Sequence, residues 1–258
     1  SPVTHRPVLK DIQDYLPNTF NLVLLSTLIS VGLGIPLGII SAIKKDKAID
    51  HIARTLALTG VSLPNFWLGL MLQWVFYYFL GWLPATGLLP VDAPRPPSIT
   101  GIILIDSLLT GNIPIFIESF RHTIMPAICL AWMYMAAVTR ITRSSMLEVM
   151  SREYIRTARM KGLKERVVIT KHALKNALIP VVTVIGLQFG ASFQNTFVVE
   201  TVFAYPGIGR YAVLTAVNAL DYPAIMGVAL VIGIIFTISN LVVDIIYTYL
   251  NPEVELGV

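Results

Sequence analysis

The sequence predicts an all-α protein, a polytopic bundle with five membrane-crossing helices. Three observations carry that class. Only 13% of the 258 residues are charged and 55% are hydrophobic, whereas soluble domains carry about 25% charged residues. The mean hydropathy is +0.72. Most telling, residues 19–43, 55–91, 123–139, 176–199 and 222–243 contain no Asp, Glu, Lys or Arg, and a crossing helix needs roughly 17–25 apolar residues. The second stretch is too long for one span; Pro84, Gly87 and Pro90 end its helix near Leu80.

Orientation follows from the bias of Lys and Arg toward the cytosol. Segments 44–54 and 140–177 hold four and ten of the nineteen Lys/Arg residues. The opposite ends hold Arg6, Lys10, Arg95, Arg121 and Arg210. The basic loops are therefore cytosolic and residue 1 lies outside. An outside start without a signal peptide implies a sixth transmembrane helix ahead of Ser1, missing from this chain.

In chain order, residues 1–18 form an external, polar N-terminal segment leading into the first span. Gly32, Gly34, Pro36 and Gly38 in that span allow close helix approach or a bend. Residues 44–54 make a short cytosolic turn. The next helix, about 56–80, contains Pro64, which lacks an amide donor and kinks it. Residues 81–121 are the external region: irregular at its proline-rich start, with Trp82 at the interface and a short surface helix over 99–109. The transmembrane helical domain spans 19–252, and 253–258 is a cytosolic tail.

The cytosolic loop 140–177 is the most informative part. Its ten Lys/Arg stand against three acids. A helix over 144–160 places Met146, Met150, Tyr154 and Ala158 on one stripe; Gly162 interrupts it, and helix resumes over 167–179. A short helix of this kind projects as a basic-rimmed knob. Three readings stay open on physical grounds: a docking knob for a protein, an anchor for anionic lipid, or ordinary positive-inside charge.

Two runs within it match a known pattern: Glu153-Tyr154-Ile155-Arg156-Thr157-Ala158-Arg159-Met160-Lys161-Gly162 and His172-Ala173-Leu174-Lys175-Asn176-Ala177-Leu178-Ile179-Pro180. Others are Val61-Ser62-Leu63-Pro64-Asn65-Phe66-Trp67, Arg140-Ile141-Thr142-Arg143-Ser144-Ser145, Val199-Glu200-Thr201-Val202-Phe203-Ala204-Tyr205-Pro206-Gly207-Ile208-Gly209-Arg210, Asp221-Tyr222-Pro223, and the stretch from Asn240 to Tyr247. Together they resemble the permeases of ABC importers, specifically the first transmembrane subunit of the dipeptide/oligopeptide type. Two positions depart from that pattern: Phe193-Gln194-Asn195-Thr196 replaces a Gly-Gly pair, and Asn251-Pro252-Glu253 replaces a terminal Asp-Pro-Arg.

The resemblance implies a type I ABC importer permease fold in the cytoplasmic membrane of a bacterium or archaeon. It implies a second homologous permease subunit (a heterodimer), two ATP-binding subunits, an external substrate-binding protein and surrounding membrane lipid, with no nucleic acid. Peptides would be imported by alternating access; related permeases carry nickel complexes, glutathione or oligosaccharides. Coupling to the ATPases would fall to Glu153, Tyr154, Arg156, Thr157, Ala158, Arg159, Lys161, Gly162, His172, Asn176 and Pro180. Glu200, Pro206, Gly207, Gly209 and Asp221 would form an external gate or a contact to the binding protein.

Other residues carry blander expectations. Glu200 and Asp221 suit solvated or helix-capping roles, and His172 with Asn176 suits positioning of the loop. Asp244 needs a partner or water at membrane depth, with Arg54 or Arg140 as candidates. Ser26, Ser30, Thr59, Ser62 and Asn195 serve either a polar path or helix packing.

No catalytic or metal-ligating set is expected. Cys129 is the single cysteine, the four histidines are scattered, and no phosphate-cradling loop occurs. ATP and Mg therefore belong to partner subunits. The charge-free windows also disfavour an ion-driven transporter, and an intramembrane serine protease would need a histidine deep in a span.

Overall fold

A computed structural model describes residues 1–90 and 92–250; the expected tail 253–258 and the Asn251-Pro252-Glu253 end lie outside them. Among the described residues the regular structure is helical. Four long helices cross the membrane by length and composition: α1 (Val8–Ile43), α5 (Ile113–Met150), the composite Glu165–Val202, and α10, apolar over Tyr222–Thr248. The composite consists of α7 (Glu165–Val167), a wider π turn (Val168–Ala173) and α8 (Leu174–Val202). A fifth crossing comes from α2 (Ala48–Ser62) and α3 (Asn65–Leu72, extended by a π turn Gln73–Phe79) if they count as one broken span. That agrees with the five charge-free windows.

Pro64 does more than kink its helix. α2 stops at Ser62, Pro64 is extended, and helix restarts at Asn65, so the two pieces make a broken span. Proline has no amide to donate and disfavours helical geometry in the residue before it. The polar N-terminal segment is helical from Val8, as a continuation of α1, whose 36 residues, about 54 Å at 1.5 Å per residue, exceed a hydrocarbon core of about 30 Å. Two other expectations need correction. The turn after α1 is only 44–47, because α2 begins at Ala48. The helix expected over 144–160 is two helices, α5 ending at Met150 and α6 (Glu153–Met160) starting anew.

The chain divides into two compact units. The first comprises Ser1–Leu28, Leu63–Ala131 and Ala191–Phe236; the second comprises Ile29–Ser62, Trp132–Gly190 and Thr237–Val258. The first has a core of Ile208, Tyr211, Ala212 and Ala216 against Ile12, Ala224, Val228 and Ile232, and contains the short helices α4 (Ile103–Leu109) and α9 (Ile208–Tyr211). The second holds both basic segments. Within it α1 lies tightly on α5: a methyl added at Gly38 would sit 2.7 Å from the Thr139 carbonyl oxygen and 2.5 Å from Thr142 Cβ. Small residues permit that approach, as membrane helix contacts require.

Candidate functional site

The cytosolic knob is built from the second unit. Ser151 and Arg152 break α5, with Arg152 extended (φ −70°, ψ 147°), and α6 follows as two turns. Ile155 and Ala158 point inward, one turn apart. They pack with Ala42, Met146, Val168, Ala173 and Ala177, so ends of α1 and α5 and the start of the α7–α8 span form one seat. Ile155 is fully buried. The predicted stripe through Met150, Tyr154 and Ala158 does not hold: Tyr154 is 43% exposed. The break re-phases the helix, and Ile155 takes the inward place that an unbroken helix would have given to Tyr154.

Of the predicted coupling residues, Glu153, Arg156, Thr157, Arg159, Lys161 and Gly162 are exposed, whereas Ala158 belongs to the seat. Met160, which the prediction did not include, is 72% exposed at the end of α6. Gly162 turns the chain with φ +75°, a conformation that glycine adopts without a Cβ penalty. Arg159 closes the same turn by a double hydrogen bond to Glu165, Nη2 to Oε1 at 2.8 Å and Nε to Oε2 at 3.2 Å. Asn176 Nδ2 donates to the Tyr154 hydroxyl at 2.8 Å, tying α6 to α8. His172 lies in the π turn, half-buried. Pro180, inside α8, withholds the amide that would bond the Asn176 carbonyl; one residue on, Ser145 Oγ donates to the Ala177 carbonyl at 2.9 Å.

The external turn, in the first unit, is constructed on the opposite plan. Glu200 is wholly buried, not solvated. Its carboxylate accepts from Thr19 Oγ1 at 2.7 Å and from the Arg210 amide at 3.0 Å. Thr19 Oγ1 in turn accepts from the Ile208 amide at 2.8 Å, Asn18 Nδ2 donates to the Pro206 carbonyl at 2.7 Å, and Asn21 Nδ2 donates to the Tyr205 hydroxyl at 2.9 Å. Gly207 and Gly209 are buried as well; a methyl at Gly207 would fall onto the Glu200 carboxylate. Burial raises the Tyr205 phenol above its ordinary range. Asp221 is also buried, and caps α10 by accepting from the Ala224 amide at 3.1 Å; Ser1 Oγ and the Val3 amide donate to it as well. The capping expectation thus holds for Asp221, the solvated one for neither acid.

Several polar residues escaped the sequence reading. Asp50, wholly buried, binds Arg143 in a fork, Nε to Oδ1 at 2.7 Å and Nη2 to Oδ2 at 2.8 Å, and accepts from Ser41 Oγ at 2.6 Å. Arg54 lies 3.7 Å from the same carboxylate. Asp244, the acid expected to pair with Arg54 or Arg140, is exposed. The available signal was an acid in the first turn of α2 and an arginine within α5, but their pairing spans 93 residues of sequence. Ser26, Thr59, Ser62 and Asn195 each donate to a carbonyl of their own helix, the bland alternative for small polar residues. Among the described residues no group of three His, Cys, Asp or Glu is placed to hold a metal.

Comparison with known proteins gives a consistent result. The family described as binding-protein-dependent transport system inner membrane component matches residues 34–256. The dipeptide transport system permease protein DppB of Alkalihalophilus pseudofirmus is 45% identical over 98% of this chain and 75% of its own length. The probable D,D-dipeptide transport system permease protein DdpB of Escherichia coli is 42% identical over 98% of this chain and 74% of its own. The oligopeptide transport system permease protein AppB of Bacillus subtilis is 38% identical over 96% and 72%. Among solved structures, a chain of the MetNI methionine ABC transporter in inward-facing conformations matches with a TM-score of 0.69 at 13% identity, covering 95% of this chain and 98% of that one. At that identity the likeness speaks for the fold alone.

Proposed function

The chain belongs to the family of binding-protein-dependent transport inner membrane components, and from that premise we propose that it is the peptide-import permease subunit of an ABC transporter, coupled to its ATPases through α6. It is a multi-pass protein of the cytoplasmic membrane with the fold of type I ABC importer permeases. Its partners are a second permease, two ATP-binding subunits and an external binding protein. ATP and Mg act on the ATP-binding subunits; this chain supplies a path and a mechanical link, and no catalytic group.

The observation that carries the reading is the two-faced α6. A helix of eight residues is too short to be stable alone, so it persists only because Ile155 and Ala158 are seated on three longer helices. Its outer side is left with Arg156, Thr157, Met160 and Lys161, a basic rim around an apolar tip that fits a cleft on a partner subunit. Movement of such a cleft is transmitted to α1, α5 and α8 because the seat consists of their own side chains. Relatives that transport dipeptides and oligopeptides support peptide as the cargo.

The test uses the full-length chain co-expressed with its partner permease and both ATP-binding subunits. Arg156→Glu and Met160→Asp change only exposed side chains, so insertion and thermal stability are expected to stay at the wild-type level. ATPase co-purification and ATP-driven uptake of labelled dipeptide are expected to fall sharply. A complex that retains its ATPases and transports normally with both changes sinks the coupling role of α6. Uptake of nickel chelate or glutathione in place of dipeptide would overturn the cargo assignment and leave the coupling intact.

A further inference from the structure

The second unit contains a cavity of about 240 Å³ that the coupling role does not use. It opens between α2 and α5. Ala57, Leu58 and Ala136 form its apolar wall, and Arg54, Arg140 and Arg143 form its rim. Asp50 already occupies the Arg143 guanidinium and lies 3.7 Å from Arg54. Arg140 is exposed and has no acidic partner among the described residues. Asp46 also acts on Arg143 by its charge, and His51 Nδ1 meets Arg54 Nη2 at 2.9 Å, so three arginines against two aspartates leave one positive charge in excess, that of Arg140.

Depth is the second clue. Arg143 stands seven residues before the end of α5, and α2 starts only six residues before Arg54. Arg54 and Arg143 are thus within about two turns of the cytosolic ends of their helices, and Arg140 is about one turn deeper in α5. From Arg143 to Ala136 is a further two turns, about 10 Å deeper into the hydrocarbon. Leu58 of the wall is itself 68% exposed, and Ile52, outside the lining, is 58% exposed, so the greasy surface continues past the cavity wall.

We propose that this cavity binds an anionic phospholipid of the cytosolic leaflet, its phosphate on Arg140 and Arg54 and the head of an acyl chain against Ala57, Leu58 and Ala136. A cationic rim over an apolar wall near the cytosolic ends of membrane helices is the chemistry that holds acidic lipids between them. A zwitterionic peptide, with an ammonium of its own, gains less from a spare positive charge, and a lone phosphate ion leaves the apolar half empty. The inference rests on the membrane topology and not on the cargo, so it survives if the transporter carries something other than peptide.

The experiment is native mass spectrometry of the full complex reconstituted in bilayer discs of phosphatidylcholine with or without phosphatidylglycerol. Wild type is expected to retain one phosphatidylglycerol per copy of this chain. Arg54→Gln/Arg140→Gln is expected to lose most of that retention, and Arg140→Lys to keep it. Equal retention by wild type and the double variant overturns the proposal, as does equal retention of phosphatidylcholine, which would mean greasy contact alone. Displacement of the lipid by dipeptide or by inorganic phosphate overturns it too, assigning the cavity to cargo or to a free anion. If the double variant fails to assemble, the exposed Arg140→Gln alone decides the matter by the same readout.

Discussion

The external turn after α8 and the cytosolic helix α6 are both short elements suspended between membrane spans, yet they satisfy their polar groups in opposite ways. The turn pairs its polar atoms with α1: Thr19 with Glu200 and the Ile208 amide, Asn18 with the Pro206 carbonyl, Asn21 with the Tyr205 hydroxyl. Buried groups so paired are costly to disturb, because an unpartnered donor or acceptor forfeits about 1–3 kcal/mol. α6 instead keeps most of its polar atoms in solvent and is seated by two apolar side chains. The first design closes a surface and the second leaves one open. A subunit that must respond to a partner on one side needs the open design there, and gains rigidity from the closed one elsewhere.

The sharpest way to break this contrast is Ile155→Ala. Truncating a fully buried isoleucine costs about 2–5 kcal/mol, and α6 has little else to hold it. At about 1.4 kcal/mol per factor of ten, coupled uptake should fall more than tenfold while the chain still inserts; normal uptake would mean that α6 is seated by something other than its apolar face. Gly207→Ala comes next. Its methyl meets the Glu200 carboxylate, an overpacking cost of about 1–3 kcal/mol, so the melting temperature of the complex should drop by several degrees with its ATPases still bound. A smaller effect is expected from Asn176→Ala, which removes the bond to Tyr154 at a cost of about 0.5–1.5 kcal/mol. Tyr154→Phe should match it, and a double variant no worse than either single one would establish that the two act as a pair.

How much of this was readable beforehand depends on how far apart in sequence the interacting residues lie. The crossings were legible because a charge-free window is a local property. So was the Gly162 turn, and at Pro64 the place of the bend, though it was read as a kink and is a break; each follows from the backbone of one residue. The inward face of α6 was not: an unbroken helix through Ser151 and Arg152 puts Tyr154 inside, and one extended residue at Arg152 shifts the phase to Ile155. Nor was the burial of Glu200, whose hydroxyl partner Thr19 is 181 residues away. Local rules predict an acid beside a Pro-Gly turn to be solvated, and only the packing of α1 against that turn removes the water. The same holds for Asp50 and Arg143. Asp244 looked the more obvious partner for a cytosolic arginine because it, unlike Asp50, lies near the end of an otherwise apolar span.

Asp106 gives the smallest predicted effect, but one that tests the closed design by pH. Its carboxylate is 2% exposed and organises the loop entering α4. It accepts from the amides of Ile99, Thr100 and Gly101 at 3.2, 2.7 and 3.0 Å and from Thr100 Oγ1 at 2.7 Å. Burial pushes this acid up, but the Thr100 hydroxyl and the three amides outweigh that and hold it below its ordinary value. An acid depressed on folding contributes stability that is complete above its unfolded pKa, about 3.9, and is lost as pH falls through the lower folded value. Wild type should therefore lose melting temperature as pH drops below about 4, beyond the loss shared with Asp106→Asn, and the two curves should run parallel at neutral pH. Parallel curves throughout would mean that the loop holds its shape without a charged Asp106, leaving the closed design to the Glu200 turn alone.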